Sequence, residues 1–347
     1  MVAKHDRKTV NLALQGGGAH GAFTWGVLDR LLDEDRLEIE GISGTSAGAM
    51  NALMLKTGYL AGGARAAKAQ LDRFWGTLRH QSQINANPLA DWIALVSNDA
   101  GKIADTVLRS PVYLAQEAFG RTFSPYEWNP LNINPLRELL EDMIDLDAVC
   151  RDRAPHLFVS ATNVRSGRIR VFEDAELSID AVLASSCLPN VFQAVEIDGE
   201  AYWDGGFMGN PALYPLFYSC ESADVIIVHV NPIERPDVPR TGAEIQNRIN
   251  EISFNSSLLR ELRAIAFVKR LIMDGKLKPR EMKDVLIHAI RDDDTMAALN
   301  VATKLAPEPE LFDHLKSAGR TAADGFLRAH WGDLGKRGSV DLGAMFS

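Results

Sequence analysis

Apolar residues change their spacing repeatedly along the chain, and each change marks an element. Residues 9–14 (TVNLAL) form a short apolar run that stops at Gly16, Gly17 and Gly18. After it Phe23, Val27, Leu28, Leu31 and Leu32 recur every three or four positions, the spacing of a helix. The pattern predicts a strand, a glycine loop and a helix. It then repeats: residues 37–43 read as a second brief strand, Gly44-Thr45-Ser46-Ala47-Gly48 interrupts it, and Ala49, Met50, Ala52 and Leu53 open another apolar helix. Two consecutive strand–turn–helix units favour a mostly parallel central sheet flanked by helices, an α/β fold.

Between residues 62 and 129 the pattern turns to helical stretches separated by Asn-Pro, Ser-Pro and Gly-rich breaks. Trp75, Trp92, Leu95, Tyr113, Phe119, Phe123 and Trp128 supply bulky apolar groups there, and a helical insertion over the site is expected. Strands are predicted at 157–164, 169–172, 194–197, 201–203, 225–230 and 285–290, and helices at 135–144, 179–186, 243–273 and 309–331. No repeat or long linker divides the chain. The expected organisation is one main domain over residues 8–230, with its insertion at about 62–129, followed by a mostly helical C-terminal extension over 231–347 packed on the same domain.

Composition narrows the function classes. At 347 residues, 46% of them hydrophobic and 24% charged, the chain can bury a core of its own. A net charge of -9 argues against nucleic acid as a partner, because such binding depends on clustered cations that neutralise phosphates. Arg260, Arg263, Lys269 and Arg270 form the clearest basic stripe, readable as a solvated helix face or as a phosphate contact. The three cysteines lack CxxC spacing, which predicts neither a disulfide framework nor a zinc site and fits a reducing, cytoplasmic setting. No apolar run reaches the ~18 residues of a spanning helix, so any membrane contact is expected to be peripheral. Nothing in these patterns fixes an oligomeric state.

Three segments carry candidate chemistry. Ser46 lies at a strand-to-helix junction within G-x-S-x-G, where Gly44 and Gly48 leave room for a tight elbow. That turn would place the hydroxyl at a helix N-terminus, which favours developing negative charge; an ordinary turn would show the same letters. Gly16, Gly18 and Gly21 spell G-x-G-x-x-G and present bare N–H groups to an anion. The anion is either a dinucleotide pyrophosphate or the oxyanion of an acyl transfer. The first needs an acid ending the second strand, but here that strand runs into the serine elbow, with only Glu38 and Glu40 nearby. Gly16, Gly17 and Gly18 as an oxyanion hole account for both motifs with one reaction.

A serine nucleophile needs a base. Among eight histidines, His229 closes the strand at 225–230 and is the candidate for a histidine-assisted reaction, or equally a packed ring at the core edge. Asp204, followed by Gly205 and Gly206 at the end of a strand, is the candidate acid; alone it reads as an Asp-Gly turn.

Taken in order, the glycine loop (Gly16 to Gly21), the elbow (Gly44 to Gly48) and Asp204-Gly205-Gly206 resemble the patatin-like phospholipase family. Ala184-Ser185-Ser186-Cys187-Leu188-Pro189 is similar to that family's helix-to-Pro segment, so the resemblance covers roughly residues 10–230. It implies a three-layer α/β/α fold and a lipid acyl hydrolase, a phospholipase A or lysophospholipase-like esterase, with no cofactor or metal. It also implies a Ser46–Asp204 dyad that needs no histidine, with Gly17 and Gly18 holding the oxyanion and a lipid or acyl ester as partner. One departure is His20, where the family usually carries Arg. An imidazole with an unperturbed pKa of ~6.5 replaces a fixed charge weakly at neutral pH, unless His20 is simply an exposed first-turn side chain. Two other functions remain open: an acyltransferase pairing Ser46 with His229, and a non-catalytic nucleotide-binding protein using the glycine loop.

Overall fold

Side chains that alternate along the central strands enter two different apolar layers. In β1 (Lys8–Leu14), Val10, Leu12 and Leu14 join one cluster and Ala13 the other. In β7 (Asp224–Val228), Ile226 and Val228 side with the first cluster, Val225 and Ile227 with the second. A sheet covered on both faces requires this pattern, and each fully buried Leu, Ile or Phe contributes about 1.5–3 kcal/mol. The computed structural model describes residues 7–84, 124–151, 154–278, 281–299, 303–304 and 308–346.

The other strands are β2 (Leu37–Gly44), β3 (His156–Asn163), β4 (Ile169–Glu173), β5 (Val195–Ile197), β6 (Glu200–Asp204) and β8 (Leu286–Ile290). Their order is β5-β6-β3-β2-β1-β7-β8, with β4 pairing β3. The run β3-β2-β1-β7-β8 is parallel, whereas β4, β5 and β6 pair antiparallel. Helices α1 (Gly21–Leu31) and α2 (Ala47–Ile84) lie on the first face, together with Pro309–His330 near the C-terminus. The helix Gly242–Met273 covers the second through Leu258, Leu262 and Ile265. The chain is therefore an α/β/α sandwich around a mostly parallel sheet.

The C-terminal segment is built into this sandwich. Strand β8 extends the sheet beside β7, and the helix Pro309–His330 crosses α1 at glycine. A Cβ on Gly319 would stand 2.0 Å from the carbonyl oxygen of Phe23, and one on Gly26 would stand 2.0 Å from that of Lys316.

The stretch from 62 differs from its expectation. Residues 62–84 continue the helix that leaves the elbow, across a kink where Gly63 takes φ 69°. Trp75 accordingly points into the core, 2% exposed, beside Trp25, Phe74 and Phe312, and does not belong to a separate insertion. Helical periodicity could not show this, because the kink resets which face is inward. Trp92, Leu95, Tyr113, Phe119 and Phe123 lie outside the described residues. Among the described residues no helix is long and apolar enough to cross a membrane.

Candidate active site

The carboxyl ends of β1 and β2, neighbouring parallel strands with Leu14 opposite Gly44, hold the glycine loop and the elbow side by side. Ligands bind at such strand ends in open α/β sheets. Ser46 adopts φ 54°, a left-handed conformation that is uncommon outside glycine and costs on the order of 1–3 kcal/mol. Its surroundings hold it there: the Ser46 N–H donates to Ser185 Oγ at 2.9 Å, Thr45 N–H to Leu14 O at 3.3 Å, and Thr45 Oγ1 to Gly209 O at 2.6 Å. Gly48 is indispensable for the close approach, since a Cβ there would lie 2.2 Å from Leu14 O. Helix α2 begins at Ala47, so Ser46 stands at its positive end.

Asp204 ends β6, which pairs with β3 so that Asp204 faces Ala161. The strand brings its carboxylate to the cavity that Ser46 also lines. The Gly206 N–H donates to Asp204 Oδ1 at 2.7 Å, while Asp204 N–H donates to Cys187 O and Thr162 Oγ1 to Asp204 O, both at 2.8 Å. Asp204 is 1% exposed. Burial pushes its carboxyl up to about 7, against the pull of the Gly206 amide and the Ser46 hydroxyl. Gly205 and Gly206 pack where side chains cannot go, against Ser160 O and the ring of Phe254.

Both groups open onto a cavity of about 370 Å³ whose walls are largely apolar, with Met50, Phe74, Trp75, Leu78, Phe192 and Phe312 among them. That size falls within the ~300–1,000 Å³ of small-molecule sites. Gly17 and Gly18 line it too, and among the described residues no acceptor takes their amides.

Gly16 plays a different part from the one expected. Its N–H donates to Asn210 Oδ1 at 2.6 Å, so it is not free to bind an oxyanion, and its place in the oxyanion hole is withdrawn. Gly21 packs against Ala47, closing the loop onto the elbow. His20 is not an exposed side chain: it is 2% exposed with Nε2 2.8 Å from Thr303 Oγ1. Burial, and then the nearby Lys304, hold its pKa well below the ordinary value, which leaves it neutral. His229 does not line the cavity. Its N–H donates to Ile290 O at 3.0 Å, and burial followed by the charge of Arg291 depresses the ring to about 4. Glu40, a candidate ribose ligand, instead accepts the N–H groups of Glu221 at 2.6 Å and Ser222 at 2.8 Å. In the basic stripe Lys269 pairs with Asp284, while Arg260, Arg263 and Arg270 are exposed.

Sequence reasoning missed Ser185, Asn210 and Lys304. Ser185 lay inside the segment similar to the family, but buried polar residues carry no periodic signal.

Fold and site together define a three-layer α/β/α protein with a serine elbow, a glycine loop and a buried acid on one rim. The model of the family described as Patatin-like phospholipase matches residues 12–217, more than half of the sequence, and the chain belongs to that family. No curated protein matches the chain. Among solved structures it is similar to VipD from Legionella pneumophila, with 17% identity and a TM-score of 0.44, covering 92% of this chain and 67% of that one. It is similar also to the type III effector protein ExoU, with 17% identity, a TM-score of 0.36 and coverage of 93% and 54%. The ExoU–SpcU complex of Pseudomonas aeruginosa gives 20%, 0.33, 92% and 61%. The chain thus spans less than two thirds of the length of the chains it matches in these last two structures.

Proposed function

We propose that this protein is a lipid acyl hydrolase, a phospholipase A or lysophospholipase-like esterase that works through an acyl-Ser46 intermediate. The observation that carries the reading is that Ser46 and the buried, unusually basic Asp204 carboxylate line one apolar cavity. An ordinary aspartate, with a pKa of ~3.9, is a poor base at neutral pH; one near 7 is matched to the task.

In the proposed reaction Asp204 accepts the Ser46 proton as Oγ attacks the ester carbonyl. The oxyanion is held by the N–H groups of Gly17 and Gly18 and by the positive end of α2, each donor contributing about 2.7–4 kcal/mol. Collapse expels the alcohol, which takes the proton back from Asp204. Water then attacks the acyl-serine as Asp204 takes its proton, and collapse releases the fatty acid while the leaving Ser46 Oγ takes that proton back. The apolar cavity receives the acyl chain and keeps the carboxylate dry.

Fatty-acid release from phosphatidylcholine vesicles, read beside fluorophosphonate labelling, tests this scheme. Wild type should release fatty acid and label; Ser46→Ala should do neither; His229→Gln should do both, within a few-fold of wild type. Activity in Ser46→Ala would reject the nucleophile, and an inactive, folded His229→Gln protein would favour the acyltransferase reading. An unlabelled wild type would point to the binding module. The pH profile gives a second check. A base must be deprotonated, so kcat/KM should fall about tenfold per pH unit below a pKa of about 7. A profile flat down to pH 5 would exclude Asp204 as the base.

A further inference from the structure

Behind the glycine loop lies a buried row of amide side chains that the hydrolytic scheme leaves unused. Gln15, Asn210, Asn231 and Asn255 are each at most 2% exposed. Asn210 Oδ1 takes the Gly16 N–H at 2.6 Å, and Asn231 Nδ2 donates to the Gly16 carbonyl at 2.8 Å. Gln15 Oε1 accepts the N–H groups of Val230 and Asn231, at 2.9 and 3.1 Å, and Gln15 Nε2 donates to Asn255 Oδ1 at 3.0 Å. Both polar atoms of Gly16 are therefore gripped, although Gly16 touches no substrate.

The row ends on a cation. Lys304 Nζ donates to Asn231 Oδ1 at 2.7 Å. An ammonium only donates, so the Asn231 oxygen must face it and the NH2 must face the Gly16 carbonyl, which only accepts. The backbone next to Lys304 is seated on the loop from outside: Lys304 O lies 2.5 Å from where a Cβ on Gly18 would stand, and Thr303 is bonded to His20. Among the described residues no carboxylate stands within ion-pair distance of Lys304, Glu251 acts on it only through space, and its hydrogen bond goes to a neutral amide. Burial lowers its pKa to about 8, and at pH 7 it is mostly charged.

The Gly16 carbonyl and the Gly17 N–H belong to one trans peptide group and point to opposite sides of the chain. A donor on the carbonyl fixes the direction of that N–H and polarises it, and hydrogen bonds in such a chain reinforce one another. We propose that Lys304, acting through Asn231, orients and polarises the Gly16–Gly17 peptide so that the Gly17 N–H becomes the stronger oxyanion donor. Lys304 and Asn231 are then positioning residues, remote from the reacting atoms, in a part of the chain beyond the family match. The inference rests on the acyl-serine reading.

A trifluoromethyl ketone with a fatty chain tests it. Ser46 Oγ adds to its carbonyl, Asp204 takes the proton, and the tetrahedral oxyanion occupies the hole; the fatty alcohol of equal length fills only the cavity. Lys304→Met should lower kcat for a p-nitrophenyl acyl ester and the ketone's affinity by about tenfold each, with KM and alcohol affinity unchanged. Lys304→Gln, which can keep the hydrogen bond without the charge, should show most of that loss and covers the case of a misfolded Met variant. Lys304→Arg should restore activity. Asn231→Leu should lose as much as the Asn231→Leu/Lys304→Met pair, because the two act in series. Wild-type kcat in the Gln variant, equal losses for ketone and alcohol, or multiplicative losses in the pair would overturn the proposal. Ser46→Ala, assayed alongside, separates the two failures. If it stays active the acyl-serine reading falls; if it is inactive and Lys304→Gln is not impaired, only the relay does.

Discussion

Asp204→Asn is expected to lower kcat for a fatty-acyl ester by roughly 10³–10⁴ while raising the melting temperature at pH 8. The first effect follows from removing the carboxylate that shares the cavity with Ser46 and is proposed as its base. The second follows from linkage. Asp204 is an acid whose folded pKa, about 7, lies above the ordinary aspartate value of 3.8. Between those values the folded state holds a proton that the unfolded state has lost, so stability falls as pH rises from about 4 to about 7. Above 7 the cost of the buried charge is fully present, on the order of a few kcal/mol. Asparagine carries no charge to desolvate and retains an acceptor for the Gly206 N–H, which now meets Oδ1 at 2.7 Å. Thermal unfolding at pH 5 and pH 8, beside steady-state kinetics, reads both effects. A variant less stable than wild type at pH 8 would show that the carboxylate is not strained by burial, and retained turnover would remove it from the reaction.

Trp75→Ala should cost about 3–5 kcal/mol, since a buried aromatic leaves a cavity its neighbours cannot fill. That is a large part of the 5–15 kcal/mol that holds a typical domain together. The loss reaches the site through Asn51. Trp75 Nε1 donates to Asn51 Oδ1 at 2.9 Å, and Asn51 Nδ2 is bonded to Gly21 O and Ala47 O, each at 3.0 Å, tying the loop to the elbow. Differential scanning calorimetry should show a drop on the order of 5–10 °C for the Ala variant and a smaller one for Trp75→Phe, which keeps the ring and loses the hydrogen bond. An unchanged melting temperature would show that Trp75 does not hold the core together.

The site was legible where the constraint on it is local. A tight elbow needs small residues two positions to either side of the serine, so Gly44 and Gly48 announce Ser46. A loop that offers amides to an anion needs bare backbone, so Gly17 and Gly18 announce themselves. The surroundings of His20 and Trp75 were not legible, for the opposite reason. Each sits in a locally helical stretch, and whether it meets solvent depends on a distant segment, Thr303–Lys304 for one and Phe312 for the other.

By itself, then, the amino-acid order determined the succession of strands and helices, the two glycine motifs and the candidate pair Ser46 and Asp204, because period and backbone sterics act over a few residues. Only the tertiary structure decided that Asp204 is basic, that the Gly16 N–H is spent on Asn210 and not open to the cavity, and that Lys304 closes a chain of amides behind the loop. Desolvation and hydrogen-bond partnership come from segments far apart in the chain, and their meeting is a property of the packed sheet.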